Sequence, residues 1–226
     1  MAVYIFERID IVTSGRGKFV DMVRKQWARH AEISFGIRLV GVWATVGSTA
    51  AWPETNLLWE MDDWEHFAKA QDAQYPLEAK SAYGHELWRQ AFRWRSGGES
   101  MLLEGASFSP TVEQIKARNL SGNVILQEYV QTKPGGMDAY HQAVQSEYLP
   151  LAESRGMRLL GAYRHGVAPN KAMNLWAVDG WPQISEIMES EAQHPGVKQW
   201  NQRLTELTDD IYSWLLAPPP EGALRT

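Results

Sequence analysis

The chain has 226 residues, no cysteine, a formal net charge of -5 and 44% hydrophobic residues. Without cysteine it can build no disulfide, zinc–thiolate site, iron–sulfur cluster or thiol nucleophile. An acidic balance with no Lys/Arg cluster argues against nucleic-acid binding, and the composition against bulk disorder. In chain order, Val3 to Val12 alternates and is β-branched, which predicts a strand. Ser14, Gly15 and Gly17 break it. Phe19, Val20, Val23, Trp27 and His30 follow a helical period that Gly36 ends. Ile37 to Val46 and Thr55 to Met61 read as strands across a Gly/Ser/Pro loop. Trp64, Phe67, Ala68 and Gln71 start a second helix that Pro76 stops. Residues 80–95 read as helical, and Ser100 to Ala106 as a strand. Strands are then expected at Asn123 to Gln131, Arg158 to His165, Ala172 to Val178 and Ile211 to Leu216. Helices are expected at Met137 to Ser154, 181–192 and 195–209, with a flexible Pro-rich tail from Pro218.

This order repeats. Leu58-Trp59, Asp62 and Trp64 match Leu175-Trp176, Asp179 and Trp181. Leu39-Val40-Gly41-Val42-Trp43 matches Leu159-Leu160-Gly161-Ala162-Tyr163. Glu7 answers Glu128, and Trp88 answers Trp200. Four matched segments in one order give two copies of one unit, 1–118 and 119–226. Each copy reads β-α-β-β-α-(α)-β, a ferredoxin-like unit in an α+β chain. Both parities of the strands carry large apolar residues, so each sheet needs cover on both faces. The expected solution is two antiparallel sheets packed face to face as an intrachain pseudo-dimeric α/β barrel.

These residues resemble the dimeric α/β-barrel (ferredoxin-like) superfamily and, within it, tandem NIPSNAP-type domains. The resemblance is carried by the Lys133-Pro134-Gly135 turn, Gly41-Val42-Trp43 with Gly161-Ala162-Tyr163, and Leu58-Trp59 with Leu175-Trp176. Copy one departs from the turn pattern, with Ser14-Gly15-Arg16-Gly17 in its place. The resemblance implies a small-molecule pocket between sheet and helices. It leaves the reaction open, because the superfamily includes cofactor-free monooxygenases, isomerases, cyclases, lyases and haem enzymes.

Comparing the copies nominates site residues. Positions that agree are read as serving the fold, and positions that diverge to polar as specialised. His30 extends the apolar stripe where copy two has Leu151, and suits a general acid or base. Glu60 replaces Ala177 and is the second catalytic candidate. Their structural alternatives are a helix-end histidine and a solvated strand end. Trp27 and Trp43 are candidate substrate walls within an aromatic set that includes Tyr75. Arg8 is a candidate anion holder or a cross-strand ion pair. Tyr163 and His165 share a strand face and are candidates for orienting a carbonyl or enolate. Glu7 and Glu128 agree between copies and are read as structural. The six histidines show no metal-ligand spacing, so no metal is expected.

The leading expectation is a cofactor-independent enzyme acting by acid/base chemistry on a hydrophobic, aromatic or polycyclic small molecule. Lyase, isomerase, cyclase and substrate-activated monooxygenase remain open. The first alternative is a non-catalytic NIPSNAP-like binder or scaffold. The second is a haem protein, with His30, His141 or His165 as axial ligand. The N-terminus meets charges too early for a signal peptide, and no run of about 18 apolar residues occurs. A cytoplasmic chain with no membrane span is expected, with homodimer formation open.

Overall fold

Alternation in the first segment does produce a strand, β1 (Val3–Ile11), and the computed structural model describes residues 1–12, 14–74 and 82–219. The first unit continues with α1 (Arg16–Met22), a π turn (Val23–Trp27), α2 (Ala28–Phe35), β2 (Arg38–Thr45) and β3 (Glu54–Met61). Then come α3 (Trp64–Gln74), α4 (Ala82–Ala91) and β4 (Arg95–Gly105). Gly36 ends α2 at φ 69°, a left-handed conformation that favours glycine. Tyr75, Pro76 and the tail beyond 219 lie outside the described residues.

The second copy opens with α5 (Val112–Ala117) and β5 (Val124–Thr132). It continues with α6 (Met137–Ala143), a π turn (Val144–Tyr148), α7 (Leu149–Ser154), β6 (Arg158–His165) and β7 (Lys171–Val178). It ends with α8 (Trp181–Glu191), α9 (Pro195–Leu207) and β8 (Thr208–Ala217). In the first unit β3 pairs antiparallel with β1 and β2; in the second β5 pairs antiparallel with β7 and β8, and β6 with β7. The compact units are Met1–Leu102 and Leu103–Ala217, dividing inside β4. The end of β4 pairs with β6 from Leu103↔His165 to Gly105↔Tyr163, which assigns those residues to the second unit.

Three local readings change. The stretch 80–95 is not helical throughout, because α4 stops at Ala91 and β4 starts at Arg95. Gly98, at φ 144°, lets β4 pass close to the Arg8 carbonyl, where a Cβ would overlap it. β8 likewise starts at Thr208 rather than Ile211, and α5 forms where no helix is expected. α5 is closed by a capping box in which Thr111 and Gln114 bond each other's backbone N–H.

The Gly-x-aromatic repeats have a packing cause. The ring of Trp43 lies across Gly41, and that of Tyr163 across Gly161; a Cβ at either glycine would overlap the ring. Tyr163 is fully buried and has no room to swing out. Gly161→Ala is therefore expected to cost about 1–3 kcal/mol by overpacking, read as a lower urea midpoint. Gly180→Ala is the control. Its Cβ would meet nothing nearer than Pro182 at 3.7 Å, so a loss below about 1 kcal/mol is expected.

Candidate functional site

In the first unit, strand parity sorts the side chains. Ile5, Glu7 and Ile9 share a sheet face with their partners Trp59, Leu57 and Thr55. The helices cover this face and leave a cavity of about 360 Å³. The sheet contributes Glu7, Leu57 and Trp59. The first helical segment contributes Phe19, Val23, Trp27, Ala31 and Phe35. α4 contributes Leu87, Trp88 and Ala91, while Gln71, Gln74, Arg95 and Ser100 add polar groups.

The π turn explains which helix residues face in. An α-helix repeats every 3.6 residues, so three turns carry the stripe from Phe19 to residue 30. A π turn closes i→i+5 bonds and is wider. Over Val23–Trp27 it advances the stripe in steps of four, through Phe19, Val23, Trp27, Ala31 and Phe35.

Among the described residues Glu7 is the one carboxylate in the lining. The Trp59 indole Nε1–H donates to its Oε2 at 2.8 Å. Its Oε1 has no hydrogen bond among the described residues. Burial beneath the helices pushes the Glu7 pKa up, against the opposing pull of the Trp59 bond and the Arg95 charge. The side chain is only half-buried because it faces the cavity.

The second unit holds the same carboxylate in a different state. The Trp176 indole donates to Glu128 Oε2 at 2.7 Å, the Asn174 amide to the same oxygen at 3.1 Å and the Tyr148 hydroxyl to Oε1 at 3.5 Å. Asn174 also donates to the Tyr140 hydroxyl at 2.7 Å. Tyr148 stacks on Trp200 at 4.8 Å and 13°. Copy one keeps the tryptophan, as Trp59, but puts Leu57, Phe19 and Trp27 where copy two has Asn174, Tyr140 and Tyr148. Trp27 stands edge-on to Trp88 at 5.5 Å and 69° rather than stacked on it. Glu7 thus keeps one donor where Glu128 has three.

Of the residues expected at the site, Trp27 lines the cavity. His30 lies one step off the stripe, outside the lining and half-buried. Its ring rests against Trp27 at 5.6 Å and Phe35 at 5.5 Å, and its Nδ1 is 3.2 Å from Ser34 Oγ. Glu60 has the wrong parity for the cavity. It shares the opposite sheet face with Tyr4, whose hydroxyl donates to it at 2.8 Å, and with Arg38, which pairs with it at 3.0 Å. Trp43 and Arg8 are on that face too, in register with Asn56. Arg8 makes ion pairs with Glu54 at 3.4 Å and Glu99 at 3.2 Å. In the second unit Tyr163 is covered entirely, while His165 sits half-buried at the end of β6 and accepts from the Val167 N–H at 3.3 Å. Burial lowers the His165 pKa, as does Lys171. None of His30, His141 and His165 lines the cavity of the first unit. Among the described residues there is no group of three or more His, Cys, Asp or Glu that could hold a metal ion. Nor is any helix among them long and apolar enough to cross a membrane.

No family model and no curated protein matches the chain. Solved structures do. A candidate monooxygenase from Lactobacillus acidophilus NCFM is 10% identical, covers 96% of this chain and 93% of its own, and has a TM-score of 0.62. An anthrone oxidase-like protein is also 10% identical, covers 97% and 92%, and has a TM-score of 0.61. The fold is that of the dimeric α/β barrel. A NIPSNAP domain protein from Burkholderia xenovorans, 17% identical, covers 46% of this chain and 99% of its own with a TM-score of 0.39.

His141 in this barrel is buried in the second unit, edge-on to Phe108. Burial first, and the Arg164 charge second, lower its pKa from 6.5 to about 4. The folded chain then binds fewer protons than the unfolded chain between those values. Stability present above pH 6.5 is lost as pH falls toward 4, by about 3 kcal/mol from this group. From pH 7 to pH 4 the unfolding free energy of the parent should fall by about that amount relative to His141→Leu. Parallel curves would rule the residue out as the source.

Proposed function

We propose that the first unit is the working site of a cofactor-independent enzyme that moves a proton on an apolar, aromatic small molecule, with Glu7 as the general base. One observation carries this reading: a desolvated carboxylate faces an aromatic-walled cavity with one oxygen fixed by Trp59 and the other unbonded among the described residues. Desolvation makes the carboxylate a stronger base than an ordinary glutamate, and the Trp59 bond keeps it aimed. A ligand lodged between Phe19, Trp27 and Leu57 would present an acidic C–H or O–H to Oε1. The proton passes to Glu7, and the electron pair stays on the ligand as an enolate or phenolate. Oxygen addition, isomerisation and elimination are each open to such an anion.

The name of one fold neighbour makes enolisable polycyclic ketones such as anthrone the first compounds to try. The test is aerobic conversion of such compounds, followed by mass, with the parent and Glu7→Gln side by side. The reading expects conversion by the parent and its loss in the variant. Conversion at the parental rate by Glu7→Gln rejects it.

A further inference from the structure

Arg95 opens β4 and lines the same cavity. Its guanidinium lies over the Trp88 ring at 5.2 Å and the Phe92 ring at 5.9 Å. Phe92 is 66% exposed, so the guanidinium marks the solvent edge of the cavity. Among the described residues Arg95 makes no ion pair within 4 Å. The fold itself does not call for a cation here. In the first unit the Val12 N–H bonds the Trp94 carbonyl, and in the second the Lys133 N–H bonds the Leu207 carbonyl. This sets Arg95 against Thr208, whose hydroxyl is taken up by the Leu204 carbonyl at 2.7 Å.

We infer that Arg95 is the anion-binding residue of this cavity, and that the ligand is an aromatic molecule carrying an anionic oxygen, as carboxylate or phenolate, at its solvent end. The inference rests on the first unit being a ligand site, as proposed above. A guanidinium stacked on aromatic faces is held in place and still offers N–H donors in its plane. A charge-assisted bond to an anionic oxygen is about twice as strong as a neutral one. The two charged groups would also orient the ligand. Glu7 repels an anionic end and Arg95 attracts it, so the proton-bearing end is the one delivered to Glu7.

Trp27, Trp59 and Trp88 line the cavity, so a bound aromatic should quench tryptophan emission. The experiment titrates the full chain with 2-naphthoate and with its neutral isostere 2-naphthamide. The parent, Arg95→Gln and Arg95→Lys are compared, with melting curves to show that each is folded. The parent is expected to bind the anion at least about tenfold tighter than the amide. Arg95→Gln should weaken the anion by about tenfold or more and leave the amide within about threefold, with Arg95→Lys between. Equal binding of both probes, unchanged in Arg95→Gln, would overturn the role of Arg95 and leave the cavity reading standing. No quenching by either probe in the parent up to millimolar concentration would overturn both.

Discussion

Glu7→Gln is expected to lose at least about a hundredfold in turnover and to melt within a few degrees of the parent. The glutamine keeps the shape of the side chain and an oxygen to accept the Trp59 N–H, which Glu7 takes at 2.8 Å. What it loses is basicity. Removing a desolvated carboxylate that has a single donor should be close to neutral for stability, since burial already opposes its charged form. The pH profile adds a second readout. A base must be deprotonated to work, so kcat/KM falls as pH drops through the pKa of Glu7. Burial places that limb above the ordinary value of 4.5. The residual rate of Glu7→Gln should show no such limb. A variant that keeps both the rate and the limb would take Glu7 out of the chemistry.

Glu128→Ala should behave in the opposite way, with a loss of about 2–5 kcal/mol in folding free energy by chemical denaturation. Glu128 accepts from Trp176, Asn174 and Tyr148, and the alanine strands those donors inside a packed core. Trp176 and Asn174 are fully covered and have no water to turn to. Glu7→Ala strands only the Trp59 N–H, beside an open cavity, and should cost clearly less. Turnover per folded molecule should survive in Glu128→Ala, since that carboxylate faces its own donors. Equal destabilisation by the two substitutions would mean that the copies hold their carboxylates alike.

The repeat made the fold legible. Strand alternation, glycine stops and the paired Leu-Trp segments placed every strand but the ends of β4 and β8. The site was legible only in part, for two physical reasons. First, a helical stripe advances at 3.6 residues per turn, and nothing in Val23–Trp27 announces a π turn. The α-helical period therefore points to His30, where the cavity has Ala31. Second, agreement between copies reads as structural, and Glu7 agrees with Glu128. The carboxylate is indeed shared, and what differs is its company. Leu57, Phe19 and Trp27 stand where Asn174, Tyr140 and Tyr148 surround Glu128. Those three differences were visible in the paired segments and could have pointed to Glu7. The parity of Glu60 was also legible. It alternates with Leu57 and Trp59, which puts it with Tyr4 and Arg38 across the sheet from the cavity.

The most direct measurement is a crystal structure of the protein soaked with an aromatic ligand identified by the quenching titration. The account predicts density in the first unit between Phe19, Trp27 and Leu57, with a ligand atom within hydrogen-bond distance of Glu7 Oε1. The Tyr148–Trp200 stack of the second unit should be undisturbed. Ligand density beside Glu128 with an empty cavity at Glu7 would contradict it.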